Sequence, residues 1–167
     1  ASTLLQSRRL VSEVYEHLLA LDRAGELPVR IVGSHLVREA DRSPEREVET
    51  LRQMHHDIRS PRIAITTMKL FMDGVGPQHT AAMLEPYTDV GHHGGWVLPP
   101  DFVRRQVEAA NLGGFDAHIH ACGDAGVRGA LDAFEHVKVH HGHLTPRNTV
   151  CHLEFCHPDR SEERRVG

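Results

Sequence analysis

No run of apolar residues in this 167-residue chain approaches the ~20 needed to cross a bilayer as a helix, and no charged-then-apolar leader opens it. The sequence therefore predicts no membrane partner. Aromatic residues make up only 5% of the chain and its net charge is −4, so it lacks both a base-stacking platform and a basic face for nucleic acid. The three cysteines, Cys122, Cys151 and Cys156, are an odd number in a chain long enough to bury a core without staples. That usage argues against a disulfide framework and for a reducing compartment, with the cytoplasm as the expected location. The chain begins at Ala1 rather than at a methionine, which leaves open a leader upstream. No GxGxxG follows a strand-like run and there is no P-loop, which disfavours the nucleotide-binding open sheets.

Histidine is what the chain has in excess, with fifteen copies. His140, His141 and His143 fall in a stretch that reads as loop, where solvated histidine is the expected state. The informative pair lies in GGFDAHIHACGD, residues 113–124. Extended chain alternates faces, so Asp116, His118 and His120 point one way and Ala117, Ile119 and Ala121 the other. Glycines bracket the run and a helical pattern follows at once, as at the active-site end of a βα unit.

Strand and helix alternate along the rest of the chain. Leu10, Val11, Val14, Leu18 and Leu21 recur at helical spacing between Thr3 and Ala24. Residues Pro28 to Val37 read as a strand buried on both faces, and Ser43 and Pro44 open a helix carrying Val48, Leu51, Met54 and Ile58. Ile63 to Met72 reads as a second strand with Lys69 inside it, and Gly74 to Leu98 as one long loop. A helix from Pro99 and Pro100 bears Phe102, Val103, Val107 and Ala110. After the 113–124 strand, Asp124 is placed as the cap of a helix facing inward with Val127, Leu131 and Phe134, and Asn148 to Phe155 reads as the fourth strand. This alternation predicts an α/β fold with a parallel sheet and right-handed crossovers. Four strands cannot close an eight-stranded barrel, and a complete one takes about 250 residues. The expected architecture is thus a partial (β/α)8 TIM-like barrel, a middle piece of it. Residues 1–159 form the expected catalytic unit. The charged tail RSEERRVG, residues 160–167, is expected to be foreign to the fold, with a natural charged helix start as the alternative.

The ends of the last three strands carry, in order, Lys69 with Asp73, His120 with Asp124, and His152 with Glu154. Catalytic residues of parallel barrels come from those ends. Neutral imidazoles are good ligands for zinc and similar ions, and a buried lysine amine can react with carbon dioxide to become an anionic ligand. For any one such histidine, a hydrogen-bonded core residue is the ordinary explanation. Their shared location shifts the balance toward a metal-hydrolase site.

KLFMDG from Lys69, TAAMLEPY from Thr80, HACGDAGVRGALDAFE from His120 and RNTVCHLE from Arg147, with LDRAGELPVRI upstream, together resemble amidohydrolase family 3. This metal-dependent group includes the N-substituted formamide deformylases, and the resemblance covers most of residues 4–159. It implies a distorted (β/α)8 barrel, one or two divalent metal ions with zinc foremost, and hydrolysis of an amide-like C–N bond in a small molecule through a metal-activated water. It matches Lys69 to a lysine that becomes carboxylated, His120 to the strand-five metal ligand and His152 to the strand-six ligand. Asp73 matches the acidic residue of KLFxDG and Asp124 that of HAxGD, each in a catalytic role or as a loop and helix anchor. His118 is placed as a supporting neighbour of His120. In the long loop His79, Glu85 and Tyr87 are candidates for the substrate wall, with a purely structural loop as the equal alternative. A homo-oligomer is compatible with all of this.

Two alternatives stay open at this level. FDAHIH also resembles the HxH pair of strand one, but that placement would leave HACGD unexplained and put KLFMDG ahead of the first strand. With the strand-five reading, the HxH pair and the strand-eight aspartate fall outside the chain, and the isolated polypeptide is expected to be inactive or nearly so. The non-enzymatic alternatives are an inert fragment and a Cys/His metal-binding module built from Cys151, Cys156 and His157. The spacing C-x4-C lacks the second cysteine pair of a usual zinc module.

Overall fold

The computed structural model describes residues 8–158. The first residues of the predicted N-terminal helix and the charged tail from Arg160 lie outside them. The described elements run α1 (Arg8–Arg23), β1 (Ile31–Leu36), α2 (Pro44–Asp57), β2 (Ile63–Phe71), a 3-10 turn at Gly76–Gln78, α3 (Pro100–Leu112), β3 (Asp116–Ala121), α4 (Asp124–His141) and β4 (Thr149–His152). The four strands form one sheet in the order β1-β2-β3-β4, every neighbouring pair parallel. All four C-terminal ends therefore lie along one edge. Among the described residues no helix is long and apolar enough to cross a membrane.

The helix starts follow from local chemistry. The Ser43 hydroxyl accepts from the Arg46 N–H at 3.3 Å, and Pro44 stands at the first helical position, where no partner for an N–H is needed. Pro100 plays the same part in α3. In α4 the cap is Gly123, one residue before the predicted Asp124. Asp124 sits inside the first turn and accepts from the N–H groups of Leu84 and Ala125, at 2.8 and 2.9 Å. Its carboxylate thus pins the long loop to the helix start.

One irregularity in β2 decides which side chains face which layer. Gly33 pairs with Ile65 but Ser34 pairs with Thr67, so Thr66 is an extra residue in the ladder. Strict alternation would put Ile63, Ile65 and Lys69 on one face. With the bulge, Ile63 and Ile65 share a face with Met68 and Leu70, and all four are buried. That face packs with Leu51, Val103, Val107 and Val127 from the helices in the same core. Burying each such side chain contributes about 1.5–3 kcal/mol. Lys69 is turned to the opposite face.

The prediction that β1 is buried on both sides is corrected. Gly33 is buried where α1 closes on the strand, and a Cβ there would meet the Tyr15 hydroxyl. Val32, on the face shared with Lys69, is 67% exposed, because among the described residues β1 pairs only with β2 and no helix covers that side. The fourth strand is also shorter than predicted, because the backbone turns left-handed at His152 and Leu153, with φ of 80° and 55°. His140 and His141 belong to the last turn of α4, which ends at Gly142 with φ 71°.

Candidate metal centre

Residues paired across a parallel ladder share a face. Lys69 pairs with His118, which pairs with Thr149; Phe71 pairs with His120, which pairs with Cys151. The side of the sheet opposite the helices thus gathers Lys69, His118, His120 and Cys151 near the C-terminal edge. Lys69 is buried. Its Nζ donates to Cys151 Sγ at 3.3 Å and lies 5.0 Å from the centroid of the Phe71 ring. Among the described residues no carboxylate forms an ion pair with it. A thiol and a ring face are weak substitutes for a counter-ion.

His120 is fixed more firmly. Its Nε2 lies 2.7 Å from the carbonyl oxygen of Gly74 in the turn after β2. A carbonyl only accepts, so Nε2 carries the hydrogen and the neutral ring presents its lone pair at Nδ1. Metal-ligating histidines are commonly oriented in this way, through a backbone carbonyl on the other nitrogen. Burial lowers the pKa of His120, partly opposed by the Gly74 bond, and the neutral ring is favoured.

The His152 ring lies 4.5 Å from that of His120, centroid to centroid. Its ladder partner is Ala121, whose side chain faces the helices. The positive φ at His152 accounts for its turning toward His120 instead. A non-glycine residue in that region costs on the order of 1–3 kcal/mol, and such strain concentrates at functional sites. His118 supplies a further polar atom: its Nε2 is buried without a hydrogen-bond partner among the described residues. Burial, with Lys69 and His152 nearby, pushes its pKa down to about 4.

Asp73 is wholly buried and its two oxygens accept three backbone N–H groups: Cys122 at 3.0 Å, Gly123 at 2.8 Å and Ala82 at 3.0 Å. It ties the end of β2, the long loop and the β3–α4 turn into one knot. Asp73, His120 and Cys122 lie close enough together to suggest a cation site, with ligand atoms all within 4.8 Å of one another. Their chemistry argues otherwise. Both Asp73 oxygens are engaged by amides, His120 Nε2 by Gly74, and burial pushes the Cys122 thiol up to about 12. The ring nitrogens left open at this edge are His120 Nδ1 and His118 Nε2, with the His152 ring and the thiol-bound Lys69 amine beside them.

The long loop folds back on itself. His79 packs edge-on to Tyr87 at 4.8 Å and its Nε2 lies 2.9 Å from an Asp89 oxygen, while the Tyr87 hydroxyl donates to the Ala81 carbonyl at 3.1 Å. Gly76, at the loop's start, approaches Glu154 and Phe155 so closely that a Cβ would meet both side chains. Glu85 is exposed. Cys156 Sγ contacts the His157 carbonyl at 3.7 Å, whereas Cys151 turns to Lys69, so the predicted Cys/His trio does not converge.

Two contacts were not legible in the sequence. The proximity of Cys151 to Lys69 depends on the β2–β3–β4 register, and only the alternation of β4 hinted at it. The buried Glu47 of α2, bonded to His35 of β1, carries no local signal in the sequence.

Residues 8–165 match the model of the amidohydrolase family. Over 100 residues the chain is 32% identical to the exoenzymes regulatory protein AepA of Pectobacterium carotovorum subsp. carotovorum, a stretch that is 58% of this chain and 20% of that protein. Its fold is similar to the crystal structure of an uncharacterized metal-dependent hydrolase from Pyrococcus horikoshii OT3, with TM-score 0.68, 25% identity, and coverage of 90% of this chain and 29% of that one. It is equally similar to an uncharacterized metal-dependent hydrolase from Pyrococcus furiosus, with TM-score 0.68, 27% identity, and coverage of 90% and 30%. The chain thus spans a fifth of the curated relative and under a third of the solved ones.

Proposed function

The chain belongs to the amidohydrolase family, and on that premise we propose that it carries one side of the metal centre of a hydrolase acting on an amide-like C–N bond in a small molecule. The four strands are read as about strands three to six of a (β/α)8 barrel, with their C-terminal edge as the reacting end. One observation carries the reading. His120 is oriented through Nε2 by the Gly74 carbonyl, beside His152, and shares its sheet face with a buried lysine that has no carboxylate partner among the described residues.

The donor set fits a divalent ion, and its imidazoles favour zinc. Lys69, His120 through Nδ1, and His152 would hold it. When bound, the ion supplies Lewis acidity toward a carbonyl oxygen and lowers the pKa of water. Lys69 would join as its carbamate: the neutral amine adds carbon dioxide, forming an N–C bond and releasing one proton. That converts an uncompensated buried amine into an anionic ligand.

The remaining residues bind and position. The Gly74 carbonyl holds the His120 ring, and Asp73 fixes the turn that presents Gly74. Asp124 anchors the loop at Leu84. His118 stays neutral above about pH 4, and its unpartnered Nε2 can hydrogen-bond a substrate or a water. His79 and Tyr87 form the rigid part of the substrate wall, with the exposed Glu85 beside them as a polar contact.

Incubation with 13C-labelled bicarbonate and zinc tests the reading. A carbamate carbon signal is expected by NMR in the parent chain and none in Lys69→Ala, with zinc uptake reduced in that variant. No carbamate signal, together with unchanged zinc uptake in Lys69→Ala, would sink the assignment. Binding of N-substituted formamides and longer N-acyl amines to the zinc-loaded protein, followed by calorimetry, then tests the substrate class without requiring turnover.

A further inference from the structure

Two histidines near the end of α4, His136 and His141, converge on one carboxylate of α3, and a third, His140, stacks on the first. Glu108 Oε1 lies 2.7 Å from His141 Nε2 and 3.4 Å from His136 Nε2. The ring of His140, one turn beyond His136, lies 3.9 Å from it, centroid to centroid and tilted by 32°. This cluster is remote from the sheet edge described above. Helices of βα units start at that edge, and His136 is roughly 18 Å along α4 from Asp124 at 1.5 Å per residue.

Hydrogen-bond partners fix which nitrogens are available. His140 Nδ1 lies 2.8 Å from the His136 backbone carbonyl, which only accepts, so the neutral ring carries its lone pair at Nε2. His136 Nε2 stands between a donor and an acceptor, 3.3 Å from Arg104 Nη1 and 3.4 Å from Glu108 Oε1; in the Nδ1–H tautomer that the Arg104 contact selects, it presents a lone pair. Two imidazoles at positions i and i+4 thus offer Nε2 donors from one helix face. Glu108 adds a carboxylate from the neighbouring helix. The hydrogen bond from His141 holds its pKa below the usual carboxylate range, so it is anionic at neutral pH.

We propose that His136, His140 and Glu108 form a second binding site, for a late first-row divalent cation such as Zn2+, which staples α3 to α4. Imidazole and carboxylate donors suit these ions. His141 orients Glu108 from outside the coordination set, and Arg104 is the displaceable cation that occupies the site in the ion's absence. The three ligand atoms are not yet mutually close, so binding closes them by side-chain rotation, for which the 20% and 27% exposure of the His136 and Glu108 side chains leaves room.

The test is zinc titration of the metal-free full chain by calorimetry, with thermal unfolding as a second readout. The His136→Ala/His140→Ala variant should bind one equivalent fewer and lose part of the zinc-induced rise in Tm, while retaining uptake at the sheet edge. Alanine has the highest helix propensity, so both substitutions preserve the helix. Glu108→Gln should weaken the outer site by at least about 10-fold. Arg104→Ala should tighten it by about five- to tenfold, because a cationic competitor close to the site is removed. Equal stoichiometry in the double variant and the parent, unchanged or weaker binding in Arg104→Ala, or an outer class seen only above about 1 mM, where affinity is worth only about 4 kcal/mol, would each overturn the proposal. The two single variants carry the test if the double variant does not fold.

Discussion

His120 of β3 donates its Nε2 hydrogen to the carbonyl of Gly74 at 2.7 Å, joining a side chain of one strand to the turn that follows its neighbour. The bond sets the tautomer and aims Nδ1 away from the turn. It also makes the orientation of this ring depend on what holds Gly74 in place: its own N–H bond to the Thr80 carbonyl at 3.1 Å and the anchored Asp73 beside it in the chain.

Asp73→Ala removes the acceptor of three buried amides, those of Ala82, Cys122 and Gly123. At about 1–3 kcal/mol for each unsatisfied group, the loss should reach about 3 kcal/mol or more. Urea denaturation measures it. A variant within about 0.5 kcal/mol of the parent, the range of an ordinary surface substitution, would contradict the structural knot.

Gly123→Ala should destabilise by about 1–3 kcal/mol, as overpacking does. A Cβ there would stand 1.9 Å from the Ala82 carbonyl oxygen, which is backbone and cannot rotate away. Gly95→Ala is the control, since a Cβ at Gly95 meets nothing within 4 Å. Equal midpoints for the two variants would show that the turn is looser than described.

In metal-free protein, stability should rise with pH between about 4 and 6.5. His118 has its pKa pushed down to about 4 from an ordinary 6.5, so across that window the unfolded chain binds more protons than the folded one. Burial moves His120 in the same direction. The difference in stability between parent and His118→Asn, followed by denaturant midpoint, should therefore vary with pH in that window and level off above it. A pH-independent difference would remove the desolvation argument.

Lys69→Met should leave stability unchanged or raise it by up to about 2 kcal/mol, because the buried amine has only a thiol and a ring as partners. Metal uptake should fall in the same variant. A loss of more than about 1 kcal/mol would mean that the amine has a stabilising partner of the kind a structural lysine keeps.

Where the chain is regular, the sequence reading carries over into the structure. β3 has no bulge, so alternation alone places His118 and His120 together on one face opposite Ala117, Ile119 and Ala121. In β2 the same alternation misplaces Lys69 with Ile63 and Ile65, because an extra residue at Thr66 has no marker such as glycine. His152 is misplaced by register for a related reason: a left-handed backbone at a non-glycine residue is imposed by tertiary packing. The histidines at the end of α4 read as loop because Leu131 and Phe134 end the strong apolar pattern, yet Val137 stays buried and Gly142 closes the helix. Which residues stand at the strand ends was legible; how the Lys69 and His152 side chains turn there was not.

The central claim is that His120, His152 and Lys69 hold a divalent ion together. Zinc affinity, measured by competition with a chromophoric chelator, tests it in the His136→Ala/His140→Ala background, where the outer site is disabled. The account predicts that His120→Ala and His152→Ala each weaken the remaining site by at least about 10-fold, with Lys69→Ala weakening it further in the presence of bicarbonate. Unchanged zinc affinity in His120→Ala and His152→Ala would contradict the account.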